Sequence, residues 1–184
     1  MVSSQRVTTA KNVIYVSDNV KLSRKDLHKI DVSISKAAEV LKIKDMTKLP
    51  PVVIAAVSEM NLGTLASYEP YSNVMFINEY IVDKNVLFDS QTSFASSKSK
   101  IATYVHELIH WMDVEQYWAK HGVIDENYFD VLRERHKKIL EKLTENGYNL
   151  KEISNYATKS IVEKRYDEVY TEYRVKHLLG GYFL

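Results

Sequence analysis

Two histidines and a glutamate stand together in the middle of the chain, in the HExxH pattern His106-Glu107-Leu108-Ile109-His110. Residues four apart on a helix lie one turn apart on the same face, so the two imidazoles could bind a single zinc ion. Glu107 is placed to act as a general base toward an attacking water instead of binding the metal. The pattern is therefore typical of a catalytic zinc site. The alternative is a solvated helix that happens to carry two histidines.

The elements around the motif are predicted to be helical. Residues 97–120 form one long helix in this interpretation, because apolar side chains recur at helical spacing through the motif. Gly122 is expected to end that helix as a C-cap. A second helix is predicted from a cap at Asp125 to Asn146-Gly147, then a connection over 148–160, then a final helix from about residue 161 to 179.

The chain before the motif is predicted to form a small mixed sheet with one helix. Ser23 is a plausible N-cap for an amphipathic helix that reaches about residue 43. Pro70 favours an edge position for the strand that contains it, where an extended peptide could add to the sheet. A polar, serine-rich surface loop is expected over 83–100. The predicted strands are 12–17, 52–57, 64–71 and 74–78, the last two as a hairpin.

Composition limits the classes of function. The 184 residues carry a net charge of +1 and no cysteine. Nothing therefore indicates nucleic acid or a membrane as a partner, and any zinc must be held by histidine and carboxylate ligands. The N-terminus lacks the apolar core of a signal peptide, so the chain is expected to be cytoplasmic as written, or secreted if a leader has been removed. We predict one α+β domain over 1–184, with a sheet-containing part (1–96) and a helical part (97–184).

A catalytic zinc ion usually takes three protein ligands, so a third ligand is needed. The metzincin pattern fails, because Gln116 and Ala119 stand where it requires glycine and histidine. His121 would have to fold back from the helix end. Asp113 is better suited to support a ligand than to bind the metal. The final helix offers Glu168 and Glu172, which share a face, so that one could bind the metal while the other braces the site.

The segments HELIHWMD (106–113) and SNYATK…YDEVYTEYR (154–174) resemble the gluzincin metallopeptidases of the anthrax lethal factor catalytic domain and Pro-Pro endopeptidase group. The resemblance covers about thirty residues, and it implies a zincin-like fold and one zinc ion held by His106, His110 and Glu168. It also implies Glu107 as general base, Tyr156 as an oxyanion donor, and structural roles for Asp113 and Glu172. The family has fewer residues between this tyrosine and its glutamate, so Tyr148 and Tyr166 remain alternatives to Tyr156.

The function expected from the motif and the resemblance is zinc-dependent hydrolysis of peptide bonds, as a metalloendopeptidase. The partner would be a peptide or protein substrate, bound extended along the edge strand; the sequence does not indicate an oligomeric state. A module with the same fold that binds without catalysis, for instance in a phage or toxin system, is the alternative. The intact Glu107 argues against that alternative, since a structural zinc site has no use for a base beside its ligands.

Overall fold

The computed structural model describes residues 4–8, 12–61, 63–82 and 99–180 of this α+β protein. Its sheet has five strands, which are β1 (Ser4–Thr8), β2 (Val13–Ser17), β3 (Val52–Ala55), β4 (Ala66–Glu69) and β5 (Val74–Asn78). They lie in the order β1-β2-β3-β5-β4. β2, β3 and β5 run parallel to one another, while the two edge strands, β1 and β4, are antiparallel to their neighbours.

The sheet follows the predicted plan, with one addition. β2 and β3 pair in parallel across the helix between them, as expected for a strand–helix–strand unit. β4 and β5 form the predicted hairpin, and β4 lies at the sheet edge. β1 was not predicted, because its sequence SQRVT contains one apolar residue and so lacks the alternation of a half-buried strand. The predicted surface loop 83–100 lies almost entirely outside the described residues.

Five α-helices lie within the described residues. The first begins after Ser23, whose hydroxyl accepts a hydrogen bond from the Asp26 backbone N–H, as the predicted cap requires. The second ends at Gly122, which has the left-handed conformation of a glycine C-cap. Short 3₁₀ turns occupy Met46–Lys48, Val57–Glu59, Glu79–Val82 and Leu150–Glu152. The α-helices are α1 (Arg24–Val40), α2 (Ala102–His121), α3 (Tyr128–Glu145), α4 (Asn155–Val162) and α5 (Tyr166–Leu179).

The C-terminal region differs from the prediction. The expected connection over 148–160 contains most of α4, and the expected start of the last helix near residue 161 is wrong. α4 ends at Val162, and α5 begins only at Tyr166, after a turn in which Lys164 has φ of +58°. α3 also starts later than predicted, at Tyr128, although Asp125 still accepts a hydrogen bond from the backbone N–H of Asn127.

One core joins the sheet to α1, α2 and the end of α5. From α2 it receives Val105, Leu108 and Ile109, which are completely buried. Since these three side chains fix which side of α2 faces the core, they also fix the direction of the motif's remaining side chains. Every helix among the described residues is too short or too polar to span a lipid bilayer.

Candidate metal centre

The two histidines of the motif project from α2 toward α5. Their direction follows from the burial of Leu108 and Ile109, which hold the opposite side of the helix against the core. The His106 and His110 rings lie edge to face with centroids 4.9 Å apart. Their side chains keep 13% and 14% of their surface exposed, so the pair is reachable from solvent. The predicted pairing of the two imidazoles on one face of the helix is therefore present.

Glu168 on α5 completes a group of three possible ligands. Its Oε2 atom lies 3.0 Å from Nε2 of His106 and 3.5 Å from Nε2 of His110. The two Nε2 atoms are 3.1 Å apart. Atoms so close together, all able to donate a lone pair, can hold one metal ion between them. These are the three ligands that the resemblance implied.

The electrostatics of the group favour a cation. Burial opposes charging the imidazole of His106, yet its hydrogen bonds with Glu168 and Glu172 hold its pKa well above the usual value. Burial likewise opposes ionising Glu168, but the two histidines hold the pKa of that carboxyl well below its usual range. Because a protonated imidazole and a metal ion both place positive charge among these donor atoms, the same surroundings that favour the proton also suit a metal.

Glu172 lies behind His106 on the side away from the donor group. Nδ1–H of His106 donates to Glu172 Oε1 at 2.9 Å. The Ser154 hydroxyl, which also caps α4, donates to Glu172 Oε2 at 2.9 Å. Since a carboxylate can only accept, Nδ1 of His106 carries a proton in this pair, and a metal ion would bind through Nε2 in place of the proton on that nitrogen. The serine was not predicted as a site residue, although it stands in the S-x-Y segment quoted above.

Glu107 is buried between the ligand group and the edge strand. The backbone N–H of Tyr68, on β4, faces its carboxylate and slightly lowers its pKa. Burial raises the pKa of the Glu107 carboxyl above its usual value, and the nearby histidines counteract part of that rise. A carboxylate whose pKa is raised toward neutrality is a better proton acceptor for catalysis near pH 7. The contact with Tyr68 was not predicted, because a backbone contact has no signal in side-chain patterns.

Tyr156 lies in the first turn of α4, close to the possible metal ligands. Its ring lies edge to face with His106 at a centroid distance of 6.1 Å. Its hydroxyl lies near the carboxylate of Glu168, and Nη1 of Arg165 donates to the phenol oxygen at 3.3 Å. Burial and the charge of Glu168 raise the pKa of Tyr156, so the phenol stays protonated and able to donate. Sequence reasoning did not identify Arg165, which lies in the segment by which this chain departs from the family's spacing.

The other candidates lie in different surroundings. Asp113 pairs with Arg135 and lies 3.5 Å from Nε2 of His136, so it joins α2 to α3. His121 stacks on the ring of Tyr117 at 4.2 Å and is not a member of the ligand group. The two alternative tyrosines pack in the C-terminal core, where Tyr148 meets Tyr173 and Tyr166 lies in the same apolar cluster.

No protein-family model, curated protein or solved structure matches this chain. The likeness to the gluzincin metallopeptidases therefore depends on the quoted segments and remains a prediction. What the described residues provide is a group of two imidazoles and one carboxylate that could hold a metal ion, with a buried glutamate and a tyrosine beside it.

Proposed function

We propose that this protein is a zinc-dependent metalloendopeptidase whose metal ligands are His106, His110 and Glu168. The observation that carries the proposal is the triangle of their donor atoms, with sides of 3.0, 3.1 and 3.5 Å. Two ligand atoms at about 2.05 Å from one tetrahedral zinc ion are separated by roughly 3.3 Å. The spacing of the donor atoms therefore suits a single zinc ion bound by all three side chains.

Zinc is the metal that this set of donors favours. Two imidazoles and one carboxylate make up the His₂Glu class of catalytic zinc sites, which leaves a fourth position for water or substrate. Calcium and magnesium prefer oxygen ligands throughout. Glu172 adds the carboxylate that commonly stands behind a zinc-binding histidine and orients its ring. Both the donors and their surroundings support zinc.

Glu107 supplies the proton transfers of peptide hydrolysis. When bound, zinc lowers the pKa of a water toward 7 and polarises the scissile carbonyl. Glu107 takes one proton from the attacking water and later delivers it to the nitrogen of the leaving amine. Its burial supports this role, since a carboxylate of raised pKa holds the proton between the two steps.

Tyr156 supplies a hydrogen bond to the oxygen of the tetrahedral intermediate. Its position beside His106 and Glu168 places a neutral phenol at the edge of the ligand group. The negatively charged oxyanion accepts this hydrogen bond more strongly than the neutral carbonyl of the substrate does. The bond therefore stabilises the intermediate more than it stabilises the bound substrate. Removal of one such donor typically costs about 3 kcal/mol in the barrier.

The edge strand β4 offers a binding surface for an extended peptide. The Asn78 backbone N–H donates to the Leu65 carbonyl at 2.8 Å. In an antiparallel pair, every second residue directs its N–H and C=O groups away from the neighbouring strand. In this register, those residues of β4 are Ala66 and Tyr68. The Tyr68 N–H that faces Glu107 lies on that outward side. A substrate strand paired with β4 would therefore run past the general base, and main-chain pairing suits cleavage within a chain.

The test is cleavage of a mixed library of peptides with acetylated N-termini and amidated C-termini, followed by mass spectrometry and zinc analysis. We expect one zinc ion per chain and internal cleavage by the wild type. Glu107→Gln should keep the zinc and lose at least about 100-fold in rate. Glu145→Gln, an exposed change on α3, is the matched control and should behave as wild type. Stoichiometric zinc without cleavage of any peptide would replace the proposal with the binding module.

A further inference from the structure

The turn between α4 and α5 brings an arginine back over α4. Lys164 takes the left-handed conformation, with φ of +58°, and the Arg165 backbone N–H donates to the Ser160 carbonyl at 2.9 Å. This tight turn ends α4 and starts α5, and it leaves Arg165 next to the last residues of α4. The segment that lengthens the distance between Tyr156 and Glu168 in sequence is thus the segment that supplies the arginine.

The guanidinium of Arg165 is held at two points. Its Nε donates to Glu163 Oε2 at 2.8 Å, and Nη2 lies 2.7 Å from the same oxygen. Nη2 also donates to the hydroxyl of Ser160, a completely buried residue, at 3.2 Å. With Nε and Nη2 engaged, the remaining arm of the planar group points toward Tyr156.

That remaining arm contacts the phenol of Tyr156. Nη1 donates to the phenol oxygen at 3.3 Å, and the guanidinium carbon lies 5.3 Å from the ring centroid. An arginine has no acceptor, so the phenol oxygen must be the acceptor in this contact. The phenol's single proton therefore stays available to point away from Arg165, toward Glu168 and the region where a substrate carbonyl would lie.

We propose that Arg165 is a positioning residue that fixes the Tyr156 hydroxyl, with its proton directed toward the oxygen of the substrate carbonyl. The inference rests on the proposed peptidase function. A role for Arg165 in stability alone would not explain its contact with Tyr156. The Arg165–Glu163 ion pair is partly exposed, and such pairs contribute little to the free energy of unfolding. The planar guanidinium donates to Glu163, Ser160 and Tyr156 at the same time, and the single ammonium group of lysine cannot reproduce that geometry.

The kinetic test is a double-mutant cycle on a peptide that the wild type cleaves. Arg165→Ala should lower kcat roughly 10- to 100-fold with KM within about twofold, because misplacing a catalytic group affects the chemical step. In a Tyr156→Phe background the same change should cost almost nothing further. Arg165→Lys should recover less than half of the kcat that Arg165→Ala loses. Added ethylguanidinium should restore activity to Arg165→Ala, because it supplies the missing guanidinium group.

Lys159→Ala is the matched control, because Lys159 also pairs with Glu163, at 3.7 Å, but from an exposed position on α4. It should leave kcat and KM unchanged. Zinc content should equal that of wild type in every variant. Losses that multiply independently in the double mutant would overturn the proposal.

A second readout does not depend on catalysis. With tyrosine labelled at Cζ with ¹³C, the resonance of Tyr156 is assigned as the signal that disappears in Tyr156→Phe. Arg165→Ala should shift that resonance, and Lys159→Ala should not. A Tyr156 signal unaffected by Arg165→Ala would overturn the positioning role. A wild type that cleaves no peptide would instead overturn the proposed function, and the NMR comparison would still decide whether Arg165 holds the phenol.

Discussion

Glu172 accepts a hydrogen bond from Nδ1 of His106, at 2.9 Å, across 66 residues of sequence. The other oxygen of Glu172 accepts from the Ser154 hydroxyl. The carboxylate therefore links α4, α5 and the motif helix, and it holds the His106 ring with Nε2 toward Glu168. Glu168 and Glu172, one turn apart on α5, thus have different roles. Glu168 is a possible metal ligand, and Glu172 orients the ligand His106.

Replacing Glu172 by glutamine should weaken zinc binding about 10- to 100-fold. The amide keeps the size of the side chain but removes the charge that orients and polarises the imidazole of His106. The measurement is a competition titration with a chelator of known affinity, with Glu145→Gln as control. An unchanged affinity would show that the contact with His106 is incidental.

Glu168→Ala should have a larger effect than Glu172→Ala. Glu168 contributes a donor atom to the triangle, so its removal leaves two imidazoles and should abolish stoichiometric zinc after gel filtration. Glu172→Ala should retain zinc in excess metal and lose it only during dialysis. The reverse order would assign the ligand role to Glu172 and require a different register for α5.

The sequence predicted the motif residues well because their relationship is local. Spacing of four within an apolar helical pattern is enough to pair His106 with His110 and to place Glu107 beside them. The choice between Glu168 and Glu172 could not be made from spacing, since both occupy one face of α5 and the outcome depends on how α5 crosses α2. Asp113 illustrates the same limit, because its neighbours Arg135 and His136 come from a third helix.

The fold was predictable to a similar degree. The strand–helix–strand unit, the hairpin and the glycine cap of α2 carry strong local signals, and all three are present. The break between α4 and α5 was missed because no glycine or proline marks it; Lys164 takes up the left-handed conformation instead. β1 was missed because pairing with β2, and not its own composition, makes it a strand.

Acid should destabilise the protein through His136. Its ring is completely buried, and burial together with Arg135 lowers its pKa to about 3. Below the unfolded-state pKa of about 6.5, the unfolded chain binds a proton that the folded chain refuses, so the free energy of unfolding falls as the pH falls from about 6.5 toward 3.

Between about pH 7 and pH 5 this single group should remove about 2 kcal/mol from the free energy of unfolding. The check is urea unfolding of wild type and His136→Gln at both pH values and equal zinc concentration. The variant should be less stable at pH 7 but lose about 2 kcal/mol less on acidification. Parallel losses in the two proteins would contradict the buried neutral state of His136.

Two glycines that end helices should respond oppositely to alanine. Gly122 has φ of +75°, and a Cβ there would meet nothing within 4 Å, so Gly122→Ala should cost about 1 kcal/mol through backbone strain alone. Gly180 is equally uncrowded but has a right-handed helical conformation, so Gly180→Ala should be neutral or stabilising by up to about 1 kcal/mol. Thermal unfolding compares them; equal costs would refute the conformational explanation.

X-ray absorption spectroscopy at the zinc edge, on protein loaded with one equivalent of zinc, identifies the atoms that surround the bound ion. We expect a shell of nitrogen and oxygen atoms at about 2.0–2.1 Å, with the outer-shell signature of two imidazoles. Glu168→Ala taken through the same loading should instead give the spectrum of hydrated zinc, because two imidazoles alone do not retain the ion. Failure to retain one zinc ion, or a spectrum without two imidazoles, would contradict a metal centre built from His106, His110 and Glu168.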